Sequence, residues 1–147
     1  MILFFDTSAL AKFFHNEKGT EAVTDLLNSQ ENEPWILELA TLEFISVLHR
    51  RFRGREINEK SLAEAIGGFE AELTRFNIEP SSHAIVQEAE DLLKRHGKEH
   101  GLRTLDALHL GCFSVVSESD WLFVSADENL CKVAEYIGAR VFNPLIK

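Results

Sequence analysis

The sequence predicts an α/β protein, a three-layer α/β/α sandwich with a central parallel sheet. Short apolar runs, such as residues 2–5 and 121–124, alternate with longer segments of helical periodicity. Strands that alternate with helices form parallel sheets whose two faces are both covered. The 147 residues contain no internal repeat and no linker-like stretch, so we expect one domain over residues 1–147.

The first half of the chain is expected to hold two strands and four helices. Asn16 and Gly19 interrupt the first helical pattern, and Gly54 ends a later one. Asn58 is a suitable N-cap for the helix that follows. In chain order the predicted elements are a strand at 2–5, helices at 8–14 and 20–29, a strand at 35–37, and helices at 41–52 and 58–75.

The second half is expected to hold three strands and three helices. Ser81 or Ser82 can cap a helix that reaches about His96, where Gly97 is expected to stop it. The predicted elements are a strand at 76–79, helices at 82–96 and 103–117, a strand at 121–124, a helix at 127–137 and a last strand at 140–142.

Composition and charge narrow the possible functions. Hydrophobic residues make up 45% of the chain and charged residues 27%, which is typical of a globular protein. The net charge of −9 argues against tight, indiscriminate binding to polyanions. The basic residues lie in two runs, each of which is either a solvated helix end or a nucleic-acid contact: Arg50, Arg51, Arg53 and Arg55, and then Lys94, Arg95, Lys98 and Arg103.

The sequence predicts a cytoplasmic protein without a membrane segment. No apolar run approaches the roughly 20 residues that a membrane span needs. The N-terminus has neither a basic lead-in nor a small-residue cleavage site, so we do not expect a signal peptide. Cys112 and Cys131 lie in apolar stretches without a metal-ligand spacing partner and are expected to be small buried residues.

Two acidic residues follow predicted strands. Asp6 comes directly after the first strand, and Asp127 follows the strand at 121–124 by way of Ser125. Ligands of open parallel sheets bind at the carboxyl ends of the strands, so both side chains are expected at that edge. Asp is also a common helix N-cap, which is the ordinary alternative for each of them.

Two further acidic residues lie inside helical patterns. Glu43 lies in a segment that is apolar nearly all round, which predicts a buried helix. Asp106 has Leu102, Leu110 and Phe113 near its own face, and its structural alternative is a local pair with Arg103 or His109. A buried carboxylate without a partner is costly, so the four acids together are better explained by convergence on cations.

A site built from carboxylates favours a hard cation, Mg²⁺ or Mn²⁺, over zinc, which prefers His or Cys ligands. Such a cation can position and polarise a phosphate and activate a water molecule. Hydrolysis of a phosphodiester is the reaction that this chemistry indicates. We expect Asp6, Asp106 and Asp127 as metal ligands, with Glu43 completing the acidic ring or orienting the attacking water.

The motifs resemble a known family. They are DTSAL at 6–10, Glu43 in its apolar helix, RTLDALHL at 103–110, VSADENL at 124–130 and GARVFNP at 138–144. In this order, over about the whole chain, they resemble the PIN domain and specifically the VapC type of toxin ribonuclease. Each motif alone is weak, whereas the ordered set is specific.

The resemblance implies an Mg²⁺- or Mn²⁺-dependent endoribonuclease that forms a homodimer and is inhibited by a VapB-like antitoxin. It places the catalytic acids at Asp6, Glu43, Asp106 and Asp127, with Thr7, Ser8 and Ser125 as supporting residues. Relatives usually have Thr where this chain has Ser125, and often a basic residue where it has Asn129. Arg50, Arg51, Arg53 and Arg55 follow the helix of Glu43 and are expected to contact RNA phosphates.

Other functions remain open from the sequence. The chain could be a free-standing PIN nuclease in RNA processing, or a PIN-like scaffold without catalysis, although four intact acids argue against the scaffold. A phosphatase built on Asp6 would need a second Asp two residues later, where this chain has Ser8. A receiver would need an acidic pair at the first strand and a phospho-acceptor at another, and the sequence does not show this pattern. The sequence does not identify the RNA or distinguish one metal from two.

Overall fold

The computed structural model describes residues 1–146, and these form five strands and seven helices. In chain order they are β1 (Ile2–Phe5), α1 (Thr7–Phe14), α2 (Thr20–Asn28), β2 (Glu33–Leu37), α3 (Leu39–Arg53), α4 (Glu59–Leu73), β3 (Asn77–Glu79), α5 (His83–His100), α6 (Thr104–Val116), β4 (Leu122–Val124), α7 (Glu128–Tyr136) and β5 (Arg140–Phe142).

The five strands form one parallel sheet in the order β3-β2-β1-β4-β5. Successive side chains of a strand point to opposite faces, and β1 shows this clearly. Phe4 joins a core with residues of α5, α6 and α7, whereas Leu3 and Phe5 join a second core with residues of α1, α2, α3 and α4. The predicted α/β/α sandwich with a central parallel sheet is therefore confirmed.

Two predicted boundaries were wrong. The helix expected to stop at Gly97 continues to His100, and the backbone N–H of Gly101 caps it by bonding to the Gly97 carbonyl. Gly101 has φ +63°, the left-handed conformation typical of a glycine just beyond a helix. The second strand begins at Glu33 and includes Pro34, because a parallel pairing with β1 extends over both residues.

Helices α5 and α6 form a closely packed pair that positions the start of α6. Gly111 allows the close approach, since a Cβ atom there would lie 3.0 Å from the backbone nitrogen of Ala89 and 3.2 Å from the carbonyl oxygen of Ile85. A three-residue turn joins the two helices, so the first turn of α6 is held beside the end of α5. The first turn of α6 carries Asp106, one of the four acids discussed below.

The two cysteines are buried free thiols, as the sequence predicts. Burial raises the pKa of Cys112 to about 12 and that of Cys131 to about 11, so both remain protonated at neutral pH. Within the described part of the chain, every helix is too short or too polar to span a membrane.

Candidate active site

Asp6 and Asp127 follow adjacent strands of the sheet. Strand β1 pairs with β4, and the backbone N–H of Asp6 donates to the Val124 carbonyl over 3.1 Å. Each residue is also the N-cap of the next helix. The carboxylate of Asp6 accepts from the Ala9 N–H over 2.9 Å, and that of Asp127 accepts from the Leu130 N–H over 3.0 Å. The ordinary alternative from the sequence, a helix N-cap, is therefore present at both positions, and it does not exclude a further role for the same carboxylates.

The carboxylate of Asp6 is held by three donors. Besides the Ala9 N–H, the Ser8 hydroxyl lies 2.8 and 2.9 Å from its two oxygens, and the Ser125 hydroxyl donates to Oδ2 over 2.7 Å. Burial raises the pKa of Asp6 above its ordinary value, and the bonds from Ser125, Ala9 and Ser8 only partly offset that effect. A carboxylate accepts about four hydrogen bonds, so about one acceptor position remains.

The two serines also connect the two strand ends. Ser8 Oγ accepts from the Ala126 N–H over 3.0 Å, and Ser125 Oγ accepts from the Asp127 N–H over 3.1 Å. Each hydroxyl thus donates to Asp6 and accepts from the loop that carries Asp127. This network fixes the orientation of Asp6 relative to the loop after β4.

Glu43 forms a polar cluster with Thr7 and His109. The Thr7 hydroxyl donates to Glu43 Oε1 over 2.7 Å, and His109 Nε2 lies 2.5 Å from the same oxygen. Burial acts to raise the pKa of Glu43, but the hydrogen bond and charge of His109 and the hydrogen bond of Thr7 outweigh it. The pKa of Glu43 is therefore lowered, and this carboxylate is ionised at neutral pH.

The helix of Glu43 is not buried all round, contrary to the sequence prediction. Its buried side consists of Ala40, Phe44 and Leu48, whereas Leu42 is 64% exposed. Glu43 lies between these sides and is partly exposed. Its partner His109 is almost fully buried and comes from α6, so His109 pairs with Glu43 and not with Asp106, its partner in the structural alternative.

Asp106 lies in the first turn of α6 and is only weakly paired. Arg103 Nη2 approaches its Oδ2 at 3.8 Å, and that arginine is largely exposed. Burial raises the pKa of Asp106, the charges of Asp127 and Asp6 raise it further, and Arg103 and His109 act in the opposite direction. Three of the four acids are thus close enough to influence one another electrostatically.

An open cleft of about 390 Å³ lies against two of the four acids, Glu43 and Asp106, and its other lining residues are Arg103, Thr104 and Leu105. The expected arginine run does not act as one unit. Arg50 lines a neighbouring groove that contains Glu43, whereas Arg53 and Arg55 line a separate cleft. Arg51 Nη1 lies 2.5 Å from Nδ1 of His15, beyond the end of α1.

The donors of this cluster suit a hard divalent cation, since they are carboxylate and hydroxyl oxygens. As their side chains lie, no three His, Cys, Asp or Glu residues among residues 1–146 surround a ready-made metal position. The repulsion of Asp106 by the charges of Asp127 and Asp6 is the feature that a cation would relieve. On this ground the residues fit Mg²⁺ or Mn²⁺.

A parallel α/β sandwich with acids at the carboxyl edge of its sheet defines the class of protein, and the family follows from comparison with known sequences. The family model of the PIN domain matches residues 3–136. The chain therefore belongs to the PIN domain family. A comparison with curated protein sequences gave no match.

Solved structures share this fold at low sequence identity. A toxin–antitoxin complex from Klebsiella pneumoniae has a TM-score of 0.67 at 16% identity, over 97% of both chains. VapC20 of Mycobacterium tuberculosis, a sarcin-ricin loop cleaving toxin, has a TM-score of 0.68 at 16% identity, over 93% of this chain and 95% of its own. VapBC2 from Rickettsia felis, bound to a DNA fragment from its promoter, has a TM-score of 0.66 at 14% identity, over 97% and 98%.

Proposed function

We propose that this protein is a metal-dependent endoribonuclease that hydrolyses RNA phosphodiester bonds. The observation that supports this most is the electrostatic crowding of Asp6, Asp106 and Asp127, in which burial and neighbouring charges raise the pKa of Asp106. A protein keeps such a cluster at a cost in stability, and perturbed acids in a cleft are typical of functional sites. Membership of the PIN domain family supports the same reaction class.

Asp6, Asp106 and Asp127 are the residues that would hold the cation. A bound Mg²⁺ or Mn²⁺ would polarise the scissile phosphate and lower the pKa of a coordinated water. Asp6 supplies a carboxylate whose orientation Ser8 and Ser125 fix in advance. Asp106, with one long ion pair, is free to turn toward a ligand.

Glu43 is proposed to orient the attacking water and accept its proton. Its lowered pKa keeps it ionised, and the contacts with Thr7 and His109 leave Oε2 as the oxygen for a water molecule. His109 is a positioning residue, because it contacts Glu43 and lies buried beneath the cleft. Such positioned proton acceptors contribute about 100-fold or more to the rate of hydrolytic reactions.

The biological context that we propose is that of a toxin controlled by a VapB-like antitoxin in the cytoplasm. The likeness to the toxin–antitoxin complex of Klebsiella pneumoniae and to VapC20 supports it. A partner can inhibit by placing an Arg or Lys among the acids, where it would take the place of the cation. The homodimer implied by the resemblance stays a prediction, which light scattering of the purified protein would check.

The direct test is a cleavage assay on mixed single-stranded and structured RNA with Mg²⁺, with Mn²⁺ and with EDTA. The proposal predicts metal-dependent internal cleavage. Intact RNA under all three conditions, from a folded protein, would favour the scaffold alternative. The assay also separates the nuclease from a phosphatase, which would release inorganic phosphate from a small ester and leave internal bonds intact.

The toxin context has its own test. Expression of the chain alone should arrest growth, and expression together with a small adjacent gene should restore it. Normal growth at a high level of protein that cleaves RNA in the tube would leave the nuclease proposal standing and favour a free-standing processing enzyme.

A further inference from the structure

Three aromatic rings cluster at the junction of α5 and α7, and two of them, His100 and Tyr136, stack closely. The ring centroids of His100 and Tyr136 are 4.7 Å apart with planes 29° apart, and those of His96 and His100 are 5.5 Å apart. Both ring nitrogens of His96 are buried and have no hydrogen-bond partner within residues 1–146. The His96 ring also lies near Tyr136, with centroids 6.4 Å apart, so it packs beside the His100–Tyr136 pair.

The Tyr136 ring is open to solvent. It is 68% exposed, the highest value among the exposed large hydrophobic side chains of the described residues. It borders an open depression of about 410 Å³ together with Lys132 and Glu135. An amphipathic ring held flat by a stacked neighbour and exposed on its other side is suited to bind a second planar group.

This stack is connected to the candidate active site by a direct contact. Asn129 Nδ2 donates to the His100 carbonyl over 2.6 Å, so the end of α5 is tied to the first turn of α7. That turn begins at Asp127, one of the proposed metal ligands. Tyr136 lies nine residues further along the same helix, a distance of about 14 Å at the rise of an α-helix.

One residue of the second basic run, Arg103, lies between His100 and Asp106 along the chain. Arg103 follows His100 by three residues, its side chain is 81% exposed, and its guanidinium lies 3.8 Å from Asp106. Lys98, two residues before His100, is also exposed. A strand that approached the acids from the stack would therefore pass exposed cations before it reached Asp106.

We propose that the His100–Tyr136 stack is a platform for a nucleobase of single-stranded RNA, whose backbone runs past Arg103 to the acids. This inference rests on the proposed ribonuclease function and adds a substrate contact to it. Single-stranded RNA is bound largely by stacking of bases on Tyr, His, Phe or Trp rings. In a chain of net charge −9, stacking supplies affinity that few phosphate contacts can provide.

The test compares Tyr136→Leu, which keeps apolar bulk and removes the ring, with Tyr136→Phe, which keeps the ring. Binding to a labelled single-stranded RNA and to an abasic strand of equal length is measured by fluorescence anisotropy in EDTA, which prevents cleavage. Tyr136→Leu should weaken binding of the RNA by between about 5-fold and about 150-fold. Tyr136→Phe should bind as the wild type does, and neither variant should change binding of the abasic strand.

Because Tyr136 is exposed, neither substitution is expected to unfold the protein, and matching thermal melts would confirm this. Equal RNA binding by wild type and Tyr136→Leu would overturn the platform. If Tyr136→Leu lost as much affinity for the abasic strand as for the RNA, the platform would also be overturned. The same holds if Tyr136→Leu lost self-association or antitoxin binding while its RNA binding stayed unchanged. If Tyr136→Leu cleaves RNA with unchanged kcat/KM, the platform is wrong while the nuclease stands, whereas a wild type that neither binds nor cleaves RNA contradicts both.

Discussion

Asp6 and Asp106 belong to the same acidic cluster but differ in how the protein holds them. Asp6 is 2% exposed, and three donors within the chain bind its carboxylate. The side chain of Asp106 is 25% exposed, and its one ion pair, to Arg103, is 3.8 Å long. Asp6 is thus built into the scaffold, whereas Asp106 is available to a ligand.

The difference indicates a division of roles within the site. A buried carboxylate that is held by three donors gives a fixed reference position, and its loss should affect folding as well as function. An acid that is crowded by Asp6 and Asp127 and only weakly paired is held at a cost, and its loss should affect function without destabilising the fold. Substitutions at the two positions can separate these roles.

The largest expected effect is the loss of cleavage in Asp106→Asn. The amide keeps the shape of the side chain but removes the charge that a cation requires, so kcat/KM for RNA should fall by about 100-fold or more. The matched control is Asp120→Asn, an exposed acid in the turn before β4, at the opposite edge of the sheet. Comparable cleavage by both variants would remove Asp106 from the site.

The next effect concerns folding, where substitution of Asp6 should lower the free energy of unfolding more than substitution of Asp106. Asp6→Ala removes an N-cap and leaves the Ala9 N–H and two serine hydroxyls without their acceptor, so the free energy of unfolding should fall by about 1–2 kcal/mol. Asp106→Ala should change it by about 0.5 kcal/mol or less. Urea denaturation of both variants in EDTA measures this, and equal losses would contradict the division of roles.

A smaller effect is expected in the pH dependence of metal-free stability. The pKa values of Asp6 and Asp106 are raised in the folded state, so the folded protein binds more protons than the unfolded chain. The free energy of unfolding should therefore fall as pH rises from their ordinary value of 3.8 through the raised values. Glu43 acts oppositely, since its lowered pKa adds stability as pH rises toward and past its ordinary value of 4.5.

Asp106→Asn isolates one contribution to this dependence. Because the variant lacks one carboxyl with a raised pKa, its stability should fall less steeply with pH than that of the wild type. Urea denaturation in EDTA at several values between about pH 4 and pH 7 gives the two slopes. A steeper fall in the variant would mean that Asp106 is stabilised as a charged group by Arg103.

The smallest expected effect concerns the arginine run. Arg50 lines the groove that contains Glu43, whereas Arg55 lines a separate cleft. Arg50→Ala should reduce the slope of log affinity against log salt by about 0.7, the value for one phosphate contact on a single strand. Arg55→Ala is the matched control and should leave the slope unchanged. Equal slopes for wild type and Arg50→Ala would make the whole run solvated surface.

The sequence predicted those parts of the site that depend on local order along the chain. Asp6 and Asp127 were found because each follows an apolar strand, and paired parallel strands bring their ends together. The pairing of Glu43 with His109 was not predicted, since the two residues are 66 positions apart and lie on different helices, α3 and α6. The spacing of His109 three residues after Asp106 was a visible signal, but it indicated the wrong partner.

The errors in secondary structure have a similar origin. Gly97 was predicted as the helix end because glycine has a low helix propensity. The packing of α5 against α6 outweighs the cost of about 1 kcal/mol for this glycine, and the next glycine, Gly101, ends the helix. The apolar character of α3 was taken as burial, whereas the structure leaves Leu42 exposed beside Glu43. In both cases a tertiary contact decided between two local possibilities.

The most direct measurement of the central claim is the thermal stability of wild type and Asp106→Asn with and without Mn²⁺. Without metal the Asn variant should melt higher, because one repelling charge is gone. At Mn²⁺ of about 100 times its Kd, the wild-type Tm should rise by about 5–10 °C, since the cation binds only the folded protein. Asp120→Asn should respond as the wild type does, and the rise in Asp106→Asn should be much smaller. A lower metal-free Tm together with a full response to Mn²⁺ in Asp106→Asn would show that Asp106 is a structural partner of Arg103 and that the proposed metal site is wrong.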